Sequence, residues 1–334
     1  MRKAVIATLL VLLPTLVSAQ YAHPSFRPVQ GLWTLSRVKV GALTRIKAPQ
    51  QNPYPFCFST AAVNLYDQQQ CNLNKAHCST QTSFLAVTPA GQKLAQELEP
   101  RLGGSPYLSL QYLLDTGRVD YDQCNYAVLE QNEQQWPQFI YAASQLNLQK
   151  GNWQKYQKRT PYLERYFRRQ YTQQAKLLNP QITQLQVLEL LQNSYSEKQL
   201  MHKLLFQSSC FNAKPAQNYE IKQVVVADQK NIKLAHTTIQ NLLQENKPVL
   251  VNICTHQQYP KPCAPDKQHS VVIAAKSTAK HQITRDTRTV YWIINSWGEK
   301  WQQDYADGWV FADSLLESII GEIIWLEFKP AKSE

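Results

Sequence analysis

The sequence predicts an α+β fold of two lobes, a helical N-terminal lobe and an antiparallel β C-terminal lobe, with a helical subdomain inserted between them. Three observations carry this expectation. The run from Cys57 to Tyr66 is apolar and rich in small residues, as a closely packed helix requires. Apolar, β-branched runs separated by polar turns crowd the last third of the chain, the pattern of a compact antiparallel sheet or barrel. Between these regions, residues 127–216 are rich in Gln, Tyr, Lys and Arg and carry helical periodicity. At 334 residues the chain is long enough for two packed cores. The expected segments are 1–19, 20–126, 127–216 and 217–330.

Taken in order, Met1-Arg2-Lys3 precedes an uncharged stretch from Ala4 to Val17, which ends in Val17-Ser18-Ala19. A basic start, a short apolar core and small residues at the cut read as a signal peptide cleaved after Ala19. A membrane anchor is the competing reading, but the run is short and contains Pro14, and no later stretch approaches spanning length. The expectation is an exported protein, periplasmic or extracellular, without a transmembrane anchor.

Helix signals follow. Leu65 and Tyr66 extend the apolar face of the helix that Cys57 opens. Ser105-Pro106 supplies an N-cap and a first-turn proline, and Gly117 a stop. In the 127–216 segment, Leu163, Tyr166 and Phe167, then Ile182, Leu185 and Leu188, mark helical faces. Thr160-Pro161 starts one helix, Asn179-Pro180 parts two of them, and Ser194 to Glu197 fits a capping box. The other reading of this segment is an elaborated surface loop packed on one lobe. Beyond it come a helix around His236–Glu245 and strands at Val249–Ile253, Ser270–Ala275, Val290–Asn295, Gly308–Phe311 and Glu322–Phe328.

Export places the seven cysteines, at 57, 71, 78, 124, 210, 254 and 263, where thiols pair. An odd number leaves one over, and Cys57 is the candidate for reasons given below. The other six leave many pairings open, with Cys71–Cys78 and Cys254–Cys263 close enough for local loops. Cys71, His77 and Cys78 lack a second ligand pair at zinc spacing, so no metal or cofactor is expected. The net charge of +11 favours acidic partners such as anionic surfaces, but no nucleic-acid motif accompanies it.

The chemistry resides in three distant segments: Gln51 to Ala61 around Cys57, His269 at the start of a Val-rich strand, and Asn295-Ser296-Trp297-Gly298. A cysteine attacks an acyl carbon as thiolate, and its usual pKa of about 8.5 must be lowered for that. A helix N-terminus stabilises negative charge, and an imidazole beside the sulfur takes its proton and later returns it to the leaving amine. Asn295 would orient His269 without adding charge, and Trp297 would keep water from that contact. The Cys57 N–H and the Gln51 carboxamide are the candidate oxyanion donors. Each residue alone is weak, since a buried Cys is most often a small hydrophobe. Their joint order is the signal.

These segments resemble the papain-like cysteine peptidases, over about Leu43–Tyr126 and Tyr219–Phe328. In that family the oxyanion Gln precedes the nucleophile by six residues, as Gln51 precedes Cys57. Gly103-Gly104 and Pro106 stand where the family lines its non-primed subsites, so the resemblance implies substrate binding there. Asn295-Ser-Trp297-Gly-Glu-Lys-Trp301, with Asp307-Gly308-Trp309 after it, is similar to the family's Asn-Ser-Trp-Gly segment. The family's His lies about 130–150 residues after its Cys. Here His269 follows Cys57 by 212 residues, an excess close to the size of segment 127–216. There are departures. Tyr54-Pro55-Phe56 replaces the usual residues before the nucleophile, Tyr54 standing where the family has a disulfide cysteine. Its partner cysteine is also missing, around Arg101. The 37 residues between Ala19 and Cys57 are too few for the family's inhibitory pro-segment.

The resemblance thus implies an exported cysteine peptidase acting on proteins or peptides, with Cys57, His269, Asn295 and Gln51 catalytic and Gly103, Gly104, Pro106 and Trp297 at the substrate. Two other readings stand beside it: an inactive scaffold that binds a partner, and a transpeptidase or amidase acting on cell-wall peptides. The inserted segment is expected to overhang the cleft and limit access.

Overall fold

The computed structural model describes residues 32–37, 39–42, 44, 46–47, 56–84, 87–88, 104–118, 161–178, 182–192, 219–226, 231–255, 263–264 and 267–329. The signal-peptide residues, Gln51, Gly103, Cys124, Cys210, the Ser194–Glu197 box and most of segment 127–216 lie outside them.

The fold mixes helices with one antiparallel sheet. Its described strands are β1 (Trp33–Leu35), β2 (Val40–Gly41), β3 (Tyr219–Val225), β4 (Val249–Cys254), β5 (Gln268–His281), β6 (Thr287–Ile294), β7 (Trp309–Phe311) and β8 (Ile319–Phe328). The order across the sheet is β3-β8-β4-β5-β6-β7, with β1 and β2 also pairing with β5. Every pairing is antiparallel. The described helices are α1 (Cys57–Leu73), α2 (Pro106–Thr116), α3 (Pro161–Leu178), α4 (Gln184–Gln192), α5 (Ile232–Gln244), α6 (Gly298–Asp304) and α7 (Ala312–Ser318).

Strand alternation feeds two cores. Leu250, Val272, Ala274, Trp292, Ile294, Ile324 and Leu326 pack with Phe58, Ala62 and Leu65 of α1 and Leu110 and Leu113 of α2. The intervening residues Val251, Val271, Ile273, Tyr291, Ile293 and Ile323 pack with Ile239 and Leu243 of α5 and Leu315 and Leu316 of α7. Both faces of the central strands are therefore covered. That is why β4, β5 and β6 read as continuous apolar runs, where one wetted face would give polar alternation.

Local signals place the helices. Ser105 Oγ accepts from the Leu108 N–H, Pro106 begins α2, and Gly117 at φ 96° closes it with its N–H on Leu113 O. α3 begins at Pro161 and ends at Leu178, ahead of Asn179-Pro180. Tyr171, Ala175, Ile182 and Val187 are buried on α3, on α4 and just before α4. Two residues expected on the apolar faces are not: Tyr166 and Leu185 are exposed. Their stripe is narrower than the sequence periodicity suggests, with Val187 burying where Leu185 does not. Disulfides join Cys71 to Cys78 and Cys254 to Cys263. The first takes Cys71 and Cys78 out of reach of any metal, since ligation requires free thiolate.

Candidate active site

α1 begins at Cys57 with no side chain capping it; Phe56 is the N-cap, and its carbonyl accepts from the Thr60 N–H at 2.9 Å. Helix N-termini expose backbone donors that need partners. At this one the Phe58 and Cys57 N–H groups act on the Cys57 sulfur and lower its thiol pKa. Ser270 acts in the same direction, through its backbone more than its side chain. Of the five described cysteines, Cys57 is the one outside a disulfide, and it is half-buried. Burial raises its thiol pKa, and the backbone groups and Ser270 pull the other way without prevailing.

β5 carries His269 into the sheet beside β4, where Ile253 is its cross-strand partner. Its Nε2 lies 2.8 Å from Asn295 Oδ1. The Ser296 N–H donates to the same oxygen at 2.7 Å, which fixes that atom as the carboxamide oxygen. An oxygen acceptor requires Nε2 to carry the proton, so neutral His269 keeps a lone pair on Nδ1. The ring is stacked on Trp297, centroids 4.5 Å apart and planes at 24°. Trp297 meets Trp301 edge-on, and Trp301 stacks on Tyr305 at 4.6 Å. His269 is 5% exposed and Asn295 2%. Burial drives the His269 pKa down to about 4, opposed by its bond to Asn295.

Asn295 is held in turn by a residue that sequence reasoning missed. Gln302, fully buried on α6, donates from Nε2 to Ile293 O at 2.6 Å, and its Oε1 accepts from the Asn295 N–H at 3.4 Å. Gly308 turns at φ 84°, and a Cβ there would strike Gln302 and come within 2.6 Å of Ile293 O. The turn that follows α6 thus leaves room only for glycine beneath this bracket.

The residue after His269 is also bonded across the sheet. Ser270 Oγ donates to Asn252 Oδ1 at 2.6 Å, linking β5 to β4 across the register pair Asn252 and Ser270. The signal for this pair was present: an Asn inside the apolar run Val249-Leu-Val-Asn-Ile253 must find a partner when covered.

The structure thus brings His269 into direct contact with Asn295 and with Trp297. Gly104 is exposed ahead of α2, and Pro106 is buried at its first turn. Chemically the arrangement offers a neutral thiol at the start of a helix and an oriented neutral imidazole with one basic nitrogen. No group of His, Cys, Asp and Glu fit to hold a metal occurs among the described residues.

No protein-family model matches the chain, and no curated protein matches it. Among solved structures it is similar to xylellain, a cysteine protease from Xylella fastidiosa. The identity is 11% and the TM-score 0.47, over 90% of this chain and 88% of that one. It is also similar to SERA5E from Plasmodium falciparum, at 12% identity and TM-score 0.42, over 85% of this chain and 91% of that one.

Proposed function

We propose that this protein is a papain-like cysteine peptidase that hydrolyses peptide bonds through an acyl-enzyme on Cys57. The observation that carries the reading is the His269 Nε2–Asn295 Oδ1 bond at 2.8 Å under the Trp297 ring, in a protein whose helix α1 opens on a Cys57 outside any disulfide. In the mechanism, Cys57 Sγ–H gives its proton to His269 Nδ1, and the thiolate attacks the substrate carbonyl. The imidazolium returns the proton to the leaving amine, and water then releases the acyl group. Backbone donors at the start of α1, with Gln51, stabilise the oxyanion. Gly103, Gly104 and Pro106 line the substrate's path, in two lobes flanking a cleft, and segment 127–216 limits access to it.

A second reading, a scaffold that binds without catalysis, draws on one observation: burial leaves both thiol and imidazole uncharged at neutral pH. Incubation with fluorogenic peptides separates the two. The peptidase reading predicts thiol-dependent release of amine product, and release of none from a broad peptide library would reject it. Adding a free amine tests the transfer variant, since a transpeptidase on cell-wall peptides would divert product to the acceptor, whereas an amidase would still release the free acid.

Export to a periplasmic or extracellular compartment is part of the proposal. It is supported by two disulfides. Among the described residues, no helix is long and apolar enough to cross a membrane. The positive charge suits an anionic partner surface.

A further inference from the structure

We propose that Gln302 is a positioning residue for the base: one buried carboxamide sets where Asn295 and Trp297 stand, and through them the tautomer and orientation of His269. The proposal deepens the peptidase reading and rests on it for its consequence in turnover, but not for its effect on the imidazole. His269 is gripped on two sides, by Asn295 Oδ1 at its Nε2 and by the Trp297 ring on its face. Asn295 follows β6 directly, and Trp297 is the N-cap of α6. The two grips therefore belong to different elements, and their spacing depends on what fastens α6 to the end of β6. Gln302 does so from the second turn of α6. Its Nε2 donates to Ile293 O at 2.6 Å, with Asp307 O beyond at 3.5 Å. Its Oε1 accepts from the Asn295 N–H at 3.4 Å. Carbonyls stand at one end of the carboxamide and an N–H at the other, so a single orientation of the group satisfies them all.

The surroundings leave this bracket no ready substitute. Gln302 is wholly buried, so bulk water does not stand by to pair the Ile293 carbonyl or the Asn295 N–H in its place. Gly308 leaves it just enough room, since a Cβ there would meet both Gln302 Nε2 and Ile293 O. Asp307 O also takes the Trp292 Nε1–H at 2.8 Å, which pins the turn after α6 to β6 from the other side. A side chain needed for volume alone would be better apolar, because burying a carboxamide is costly. What the carboxamide adds is a fixed register between α6 and β6, and His269 sits between the two groups that this register sets.

The test reads the imidazole itself. With isotopically labelled histidine in the full chain, long-range proton–nitrogen correlation spectra give the tautomer of His269 and the rate at which its ring N–H exchanges with water. The signal lost in His269→Gln assigns it. In the parent the proton is expected on Nε2, exchanging slowly. Gln302→Met, similar in length but unable to make either bond, should speed that exchange about tenfold, the scale of one lost hydrogen bond, and admit the Nδ1–H tautomer. Turnover should fall with KM little changed, since the base is disoriented and substrate contacts are not. Leu315→Ala in α7 loosens the same core by leaving a cavity, and should keep the His269 signals of the parent. An unchanged His269 in Gln302→Met, or the same change in Leu315→Ala, overturns the proposal. Should Gln302→Met fail to fold, Gln302→Asn, polar but too short to span both partners, decides by the same signals. Failure of both to fold would make Gln302 a structural residue and equally overturn it. The spectra need no hydrolysis. A loosened His269 in a chain that cleaves no peptide rejects the peptidase reading and keeps this one; a parent-like His269 in an active Gln302→Met does the reverse.

Discussion

Cys57→Ala is expected to lower peptide hydrolysis by about 10⁴-fold or more, the scale seen when a member of a nucleophile–base unit is removed. The fold should survive. Cys57 is half-buried at the first position of α1 and in no disulfide, so deleting its sulfur costs little packing and breaks no covalent tie. Far-ultraviolet circular dichroism and the unfolding midpoint should therefore stay close to those of the parent while turnover disappears. A variant that folds and keeps turnover would remove Cys57 from the chemistry. Asn295→Ala should cost less than Cys57→Ala, because it disorients the base and leaves the nucleophile in place.

Stability is expected to fall by about 3 kcal/mol as pH drops from 6.5 to about 4, on account of His269 alone. Unfolded, this imidazole binds its proton at the usual value of 6.5; folded, burial holds it neutral until about 4. Across that interval the unfolded state carries more protons, so acid favours it. Above pH 6.5 both states are neutral at this site and the contribution vanishes; below 4 both are charged and the loss is complete. Urea unfolding at closely spaced pH values measures the slope. His269→Gln, which cannot titrate, should flatten it over this window, and an equally steep curve in the variant would show that the burial of His269 is not what acid exploits. The same burial bears on catalysis, since an imidazole held uncharged is a proton acceptor well into mildly acidic solution.

Much of the scaffold was legible in the sequence because its signals are local. Ser105, Pro106 and Gly117 mark the ends of α2 through hydrogen bonds within a few residues, and the structure has them where the spacing puts them. The strands β4 to β8 announce themselves as apolar runs. Their lengths were harder to read. β5 runs from Gln268 to His281, well past the apolar Ser270–Ala275, because β1, β2 and β6 give its polar end partners. β1 and β2 are short and stable only by pairing with a strand more than two hundred residues away, which no local pattern encodes. α6 and α7 escaped for a related reason, being seven-residue helices fixed by what they cover. At the site, the motif pointed to His269, Asn295 and Trp297 as neighbours. It held no hint of Gln302, whose value lies in bonds to Ile293 and Asn295 backbone.

The most direct test of the central claim is to expose the protein to an epoxysuccinyl peptide and locate the modified residue by mass spectrometry. The account predicts one adduct, on Cys57, formed quickly in the parent, far more slowly in His269→Gln, and accompanied by loss of all peptide hydrolysis. Modification elsewhere, or hydrolysis that continues with Cys57 fully modified, would contradict it.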